Sequence, residues 1–297
     1  MLNKFWESLK SGTDIRGVAS EEVAGENITL TDEVVEKIAL GFCDWLVQST
    51  GKPAQNLCVA IGHDSRISAD RLKKSIIRAL SGAEVKVLDC GLSSTPAMFM
   101  TTIDLNCDAA IEITASHHPF NRNGLKFFTK NGGLESEDIT KILTFASDKE
   151  SSGQSLTGKA EKIDYMGMYS KRLRDLICKE VNSKDYNFPL KGFKIIVDAG
   201  NGAGGFYAKD VLEKLGADIS GSQFLEPDGF FKNHTPNPED KAAMESATKA
   251  TLKANADLGI IFDTDVDRAG AVGKNGQNIN RNTLIALAST IALEDNP

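Results

Sequence analysis

Three aspartates alternate in "GIIFDTDVDR", at Asp263, Asp265 and Asp267, directly after an apolar run. If the chain stayed extended there, all three carboxylates would point to one side. At roughly 6 Å, each pair repels by about 0.7 kcal/mol in water and about 3 kcal/mol at an effective dielectric of 20. A hard divalent cation reverses that sign, and Mg2+ suits a few carboxylates plus a substrate or phosphate oxygen. A solvated acidic turn is the plainer alternative. An EF-hand calcium loop starting at Asp263 would need glycine sixth and glutamate twelfth, where Arg268 and Lys274 stand. A haloacid-dehalogenase-type phosphohydrolase also opens on Asp-x-Asp after an apolar strand, with Asp263 as nucleophile. That fold needs most of its sheet downstream, and thirty residues follow Asp267.

A second group lies in "EITASHHPFNRNGLKFF", where Ser116 precedes His117 and His118, and Lys126 stands ten residues on. A hydrolase serine on such a turn sits in G-x-S-x-G, and "TASHH" does not match that pattern. Taken alone, Ser116 reads as a loop cap and the two histidines as surface residues. Taken with the aspartates, it reads as a phosphoryl carrier. A phosphoserine brings close to two negative charges and hard oxygens, one of which would complete the cation site. The cation would withdraw charge as the phosphoryl group leaves, and Lys126 could trade a proton with the accepting hydroxyl. "GTDIRG" with Arg16 and "IGHDSRIS" with His63 and Arg66 could add positive groups.

These residues need a scaffold, and the surrounding pattern supplies one. Helical spacing over residues 31–50, with Thr31 as N-cap and Gly51 as stop, precedes the buried strand "LCVAIG". Helix 68–83, strand "EVKVLDCG", helix "TPAMFMTTIDL", strand "AAIEIT", strand "LKFFT" and helix "SEDITKILTFASD" come next. Residues 147–160, polar and rich in serine and glycine, are the expected linker. A second alternating set runs through helix 165–181, strand 193–200, helix 204–217, helix 240–255 and strand "ADLGIIFD". A further helix, "NRNTLIALASTIAL", starts near residue 280 and needs more partners than the chain supplies. The expected fold is therefore α/β: two tandem three-layer domains with mixed, mainly parallel sheets, plus the start of a third. The expected domains span residues 1–157, 158–277 and a truncated 278–297.

The bulk properties narrow the function. A net charge of -7 excludes a broad nucleic-acid or anionic-membrane surface, while leaving room for a local phosphate pocket. Five widely spaced cysteines form neither a disulfide framework nor zinc spacing, and read as buried thiols in a reducing compartment. The N-terminal stretch lacks a signal-peptide core, so the expected location is the cytoplasm.

Collectively the motifs resemble the α-D-phosphohexomutase family, which includes phosphoglucomutase and phosphomannomutase. "SGTDIRG" is similar to its N-terminal loop, "TASHHPFNRNGLK" to its phosphoserine loop and "FDTDVDR" to its metal loop. "VDAGNGAGG" and "PDGFFKNHTPNPE" resemble second-domain signatures in the expected order. The resemblance implies Ser116 as phosphoryl carrier and metal ligand beside Asp263, Asp265 and Asp267. It implies Lys126 as general acid/base, and Arg16, His117 and Arg268 as active-site supports; Arg66, taken from the reading of its own loop, joins Arg16 and Arg268 as an expected contact of substrate phosphate. It also implies interconversion of hexose 1-phosphate and hexose 6-phosphate through a bisphosphate, primed by a hexose 1,6-bisphosphate. His118 stands where asparagine is commonest in the family, and Thr264 and Val266 replace smaller residues. No segment resembles the family's sugar-recognition or C-terminal phosphate loops, so the missing C-terminal domains become expected partners. The chain alone is then expected to be weakly active or inactive. A non-catalytic phosphosugar- or metal-binding module is the alternative.

Overall fold

The computed structural model describes residues 2–150 and 158–295, so residues 151–157 of the expected linker lie outside the described residues. Contacts divide the chain into two units: Met1–Tyr169 with Asp228–Phe230, and Ser170–Pro227 with Phe231–Pro297.

The first unit begins with α1 (Lys4–Ser8), β1 (Lys10–Ser11) and β2 (Asp14–Val18). It continues through α2 (Asp32–Thr50), β3 (Cys58–His63), α3 (Ala69–Gly82), β4 (Lys86–Leu92), α4 (Thr95–Asp104) and β5 (Ala109–Ile113). β6 (Arg122–Thr129), β7 (Gly132–Gly133), α5 (Ser136–Ser147), β8 (Glu161–Lys162) and the start of α6 (Tyr165–Val181) complete it. The sheet order is β1-β2-β6-β5-β3-β4-β8, with β7 on β6. β3 is parallel to both β4 and β5, while β6 runs antiparallel between β5 and β2. One face packs Phe42, Leu72, Ile76, Ile139 and Ile142 of α2, α3 and α5 against Ile61, Ile111, Leu125 and Phe127. The other packs Met98 of α4 and Tyr165 of α6 against Ala60, Leu88 and Ala110. That is the expected three-layer arrangement.

Local chemistry explains the boundaries. Thr31 Oγ1 accepts the Val34 amide at 3.2 Å, and Gly51 closes α2 at φ 70°, a conformation glycine adopts without a Cβ penalty. Asp138 serves two elements: it accepts the Glu135 amide in the capping box of α5 and the Trp45 indole N–H of α2 at 3.1 Å. Four strands of this unit escape the sequence pattern: β1, β7 and β8 are two residues each, too short to show a period, and β2 lies in the stretch read as a loop.

The second unit holds the rest of α6, then β9 (Ile195–Asp198), α7 (Lys241–Ala254), β10 (Leu258–Phe262), β11 (Ala269–Gly273), β12 (Asn278–Ile279) and α8 (Arg281–Asp295). Its sheet runs β12-β11-β10-β9, with β9 and β10 parallel and β11 and β12 added antiparallel. Ala243 and Ala247 of α7 cover one face against Ile261 and Val272. Ala208 and Leu212 cover the other against Val197 and Phe262. The helix expected over 204–217 is a π-helical turn at Tyr207–Leu212 followed by a 3-10 turn at Glu213–Leu215. Gly216 at φ 93° stops it. β11, "AGAVG", was not foreseen because alanine and glycine give too weak an alternation. The helix expected near residue 280 forms as α8, with Ile285, Leu287, Ile291 and Leu293 all exposed. Among the described residues no helix is long and apolar enough to cross a membrane.

Candidate functional site

In the first unit the chain leaves β5 at Ile113 and turns at once. Thr114 still donates its amide to the Gly124 carbonyl of β6 at 3.0 Å, so the loop starts at the C-terminal end of the sheet's central strands. Ser116 then adopts φ 52°, a left-handed backbone that few non-glycine residues occupy, and it is fully buried. Its amide donates to Thr114 Oγ1 at 2.8 Å, whose own hydroxyl donates to Asp64 Oδ2 at 2.7 Å. Its hydroxyl lies 3.4 Å from His117 Nδ1.

Arg66 closes this arrangement and corrects its sequence-based role. It was expected to face substrate phosphate, yet its side chain is 0% exposed and pairs with Asp64 at 3.2 Å. Its two terminal nitrogens donate to the carbonyls of Ser116, His118, Pro119 and Arg122. The reason is geometric: a planar fork of five N–H donors can gather several loop carbonyls at once. Asp64, which the sequence reading passed over inside "IGHDSR", supports it by also accepting the Arg66 amide at 2.9 Å. An acidic residue two places before an arginine, after a buried strand, was the available signal.

The neighbouring strands bring the other cations to one face. Along β6, Arg122, Gly124 and Lys126 alternate onto the same side. Arg16 of β2 lies opposite Gly124, and Lys126 lies opposite the buried Glu112 of β5. Gly124 is needed there, because a Cβ would come within 2.4 Å of the Ile15 carbonyl and 2.9 Å of Arg16 Cγ. Arg16 is held by Asp14 at 2.8 Å. The local field is positive. His118 is pushed down to about 4, first by burial and then by Arg16, His117, Arg66 and Arg122. An anionic group on Ser116 suits this environment.

In the second unit the aspartates converge, by a route other than the one expected. Residues 263–268 form a turn between β10 and β11 rather than an extended continuation. Asp263 and Arg268 face each other across its base: the Asp263 amide donates to the Arg268 carbonyl at 3.2 Å, and the Arg268 amide donates to Asp263 Oδ1 at 3.0 Å. Val266 takes φ 64° to close it. One oxygen from each of Asp263, Asp265 and Asp267 then lies within 4.8 Å of the others, the first two residues buried and the third exposed. Burial, then the charges of Asp265 and Asp267, raise the Asp263 carboxyl to about 9. Three hard anionic oxygens crowded at a cost in self-repulsion fit a small divalent cation. Arg268 Nε lies 3.9 Å from Asp267 Oδ1, so its charge is directed at least partly to this loop.

The two second-domain signatures buttress that turn. Ala203 donates its amide to the Thr264 carbonyl at 2.8 Å, and a Cβ on Gly202 would sit 2.6 Å from that oxygen. Asn201 accepts from Asn233 Nδ2 at 2.7 Å, tying "DAGNG" to "KNHTP". His234 Nε2 lies 3.0 Å from both Asp198 carboxylate oxygens, and Nδ1 faces the Thr235 carbonyl at 2.9 Å. Burial pulls its pKa down, but the Asp198 hydrogen bond and charge outweigh it, so the net shift is upward. None of these supports could be assigned from single residue types in the sequence.

Ser116, His117, Arg16, Arg66 and Lys126 thus belong to the first unit, and Asp263, Asp265, Asp267 and Arg268 to the second. The haloacid-dehalogenase alternative gains nothing, since an antiparallel hairpin strand follows Asp267.

Comparison with known proteins agrees with both halves. Residues 8–153 match the profile described as phosphoglucomutase/phosphomannomutase, alpha/beta/alpha domain I, and residues 169–276 match that of domain II. A phosphomannomutase/phosphoglucomutase of Pseudomonas aeruginosa is 30% identical over 285 residues, covering 96% of this chain and 56% of the relative. A phosphoglucosamine mutase of Nautilia profundicola is 31% identical over 281 residues, covering 92% of this chain and 58% of that protein. A crystal structure of a phosphoglucomutase/phosphomannomutase family protein from Burkholderia thailandensis superposes with a TM-score of 0.80 at 26% identity, covering 100% of this chain and 60% of that one. The chain therefore spans somewhat over half the length of the relatives it matches. With a serine loop, a cation-ready aspartate turn and two consecutive domain profiles in one polypeptide, the chain belongs to the phosphoglucomutase/phosphomannomutase family of α-D-phosphohexomutases.

Proposed function

We propose that this chain carries the phosphoserine and cation-binding portion of a mutase that interconverts hexose 1-phosphate and hexose 6-phosphate. Ser116 bears the phosphoryl group and passes it to a hexose phosphate. The resulting bisphosphate returns its other phosphoryl group to the serine. Lys126 exchanges a proton with the sugar hydroxyl, while His117 and Arg16 hold the phosphoryl oxygens. Asp263, Asp265 and Asp267 would hold Mg2+ together with an oxygen of phosphorylated Ser116, and Arg268 stands beside Asp267. When bound, the cation supplies charge withdrawal from the departing phosphoryl group. A hexose 1,6-bisphosphate primes the cycle.

The observation that carries this reading is the Ser116 loop. A buried serine at φ 52° is held by main-chain bonds through Thr114, Asp64 and Arg66, among a group of cations. A surface loop has no use for that much ordering, whereas phosphoryl transfer draws most of its rate from position. The reaction takes place in the cytoplasm on a small phosphosugar, without nucleic acid or membrane, and the family's C-terminal domains complete the substrate clamp. The 297-residue chain alone then turns over glucose 1-phosphate slowly or not at all.

Incubation with Mg2+ and glucose 1,6-bisphosphate, followed by peptide mass mapping, tests the assignment. One phosphoryl group on Ser116, absent from Ser116→Ala, supports it. Cation binding with no phosphate ever appearing on Ser116 overturns it in favour of a non-catalytic binding module.

A further inference from the structure

The first unit holds a pair of thiols that the phosphoryl-transfer reading does not use. Cys58 opens β3 and Cys107 ends the turn before β5, and their sulfurs lie 3.7 Å apart although 49 residues separate them in sequence. The backbone keeps them together. Cys58 donates its amide to Asp108 Oδ2 at 2.9 Å, and Asp108 returns its own amide to the Cys58 carbonyl at 2.8 Å. Forming an S–S bond of about 2.0 Å requires the two sulfurs to close in from 3.7 Å.

We propose that Cys58 and Cys107 form a reversible thiol–disulfide site, with Cys58 as the attacking thiol, Cys107 as the resolving thiol and a hydroperoxide as oxidant. The Cys58 thiolate attacks the peroxide oxygen, becoming a sulfenic acid as water or alcohol leaves. Cys107 then attacks that sulfur, losing its proton, and a second water departs as the S–S bond forms. Two thiols and one peroxide thus yield one disulfide and two waters from hydrogen peroxide, or one alcohol and one water from an alkyl hydroperoxide, and a dithiol reductant reverses the change by exchange.

The division of labour follows from the surroundings. Cys58 is half-buried, whereas Cys107 is 3% exposed. The hydrogen bond between the two sulfurs lowers the Cys58 thiol to about 7, burial works against this, and Lys86 adds a smaller lowering effect. Cys107 is shifted upward, first by that shared hydrogen bond and then by burial. Burial pushes two other thiols out of reach of such chemistry, Cys43 to about 11 and Cys90 to about 12. Cys107 also borders a cavity of about 760 Å³ together with Lys52, Asp108 and Lys130. The site is independent of the assignment of Ser116.

The test uses the whole chain. Brief alkylation of the native protein near neutral pH should label Cys58 well before Cys43 or Cys90. Treatment with stoichiometric hydrogen peroxide, denaturation, alkylation and non-reducing peptide mapping should then give one cross-linked Cys58–Cys107 peptide pair, removed by dithiothreitol. Cys107→Ser should leave Cys58 stalled as a sulfenic acid that dimedone traps, with no intramolecular link. Five fully alkylatable thiols after peroxide, or Cys58 linked to Cys90 instead, would overturn the proposal.

Discussion

The serine loop and the aspartate turn are stabilised in opposite ways. The serine loop of the first unit is gathered by a side chain: Arg66 reaches four carbonyls and its charge is balanced by buried Asp64. The aspartate turn of the second unit is gathered by the main chain, through the β10–β11 hairpin, and its side chains repel one another. The first is a connected network of hydrogen bonds around a buried ion pair. The second crowds three carboxyls, whose burial and mutual charge favour a proton on Asp263. Preorganisation therefore has two forms here: a satisfied network, and a stored repulsion that selects its ligand.

The contrast can be broken most sharply at the turn. Asp265→Asn should weaken Mg2+ or Mn2+ binding to the chain by on the order of 100-fold, measured calorimetrically, because it removes one of three anionic ligands. The same substitution should leave the cation-free protein at least as stable, since it relieves repulsion. A large loss of cation-free stability would show that the aspartates are structural. The pH dependence follows from Asp263. Its carboxyl sits near 9 when folded against about 3.9 when unfolded, so the folded state holds a proton that the unfolded state has released. Its contribution to stability is complete below pH 4 and falls as pH rises toward 9. Cation binding displaces that proton, so affinity should rise with pH over the same interval and saturating Mg2+ should flatten the stability slope. A pH-independent affinity would contradict the burial argument.

At the serine loop the expected response is inverted. Arg66→Lys should cost about 3 kcal/mol of unfolding free energy, because Asp64 keeps its burial while the fork over four carbonyls is lost. Added Mg2+ should not restore it, which separates the two loops in one denaturation experiment. Smaller effects should come from the paired glycines. Gly124→Ala drives a Cβ toward the Ile15 carbonyl, and Gly202→Ala drives one toward the Thr264 carbonyl, each costing about 2 kcal/mol. Only Gly202→Ala should also weaken cation binding. The smallest change is Thr31→Ala, which removes the N-cap of α2 and should cost about 1 kcal/mol, with neither loop affected.

Much of this was legible in the chain itself. Helical period, the Thr31 cap and the Gly51 stop place α2 to within a residue, and apolar runs place β3, β4, β5 and β10. The hairpin strand β11 was hidden because alanine and glycine carry little periodic signal, and the 204–217 segment kept its helical spacing while winding as π and 3-10 turns. In the sequence it was the combination of Ser116, Lys126 and the three aspartates, rather than any one residue type, that pointed to phosphoryl transfer. They misplaced Arg66, because charge alone does not reveal whether a guanidinium faces a ligand or its own loop.

The sequence by itself determined the alternation of strands and helices, the order of the motifs and the set of candidate groups, because these depend on local propensity and side-chain chemistry. Tertiary structure decided that Arg66 holds the serine loop, that a turn rather than a strand collects the aspartates, and that Cys58 meets Cys107. The Arg66 and cysteine contacts join residues distant in the chain and are set by strand register and packing, while the aspartate turn is local but is shaped by the pairing of β10 with β11.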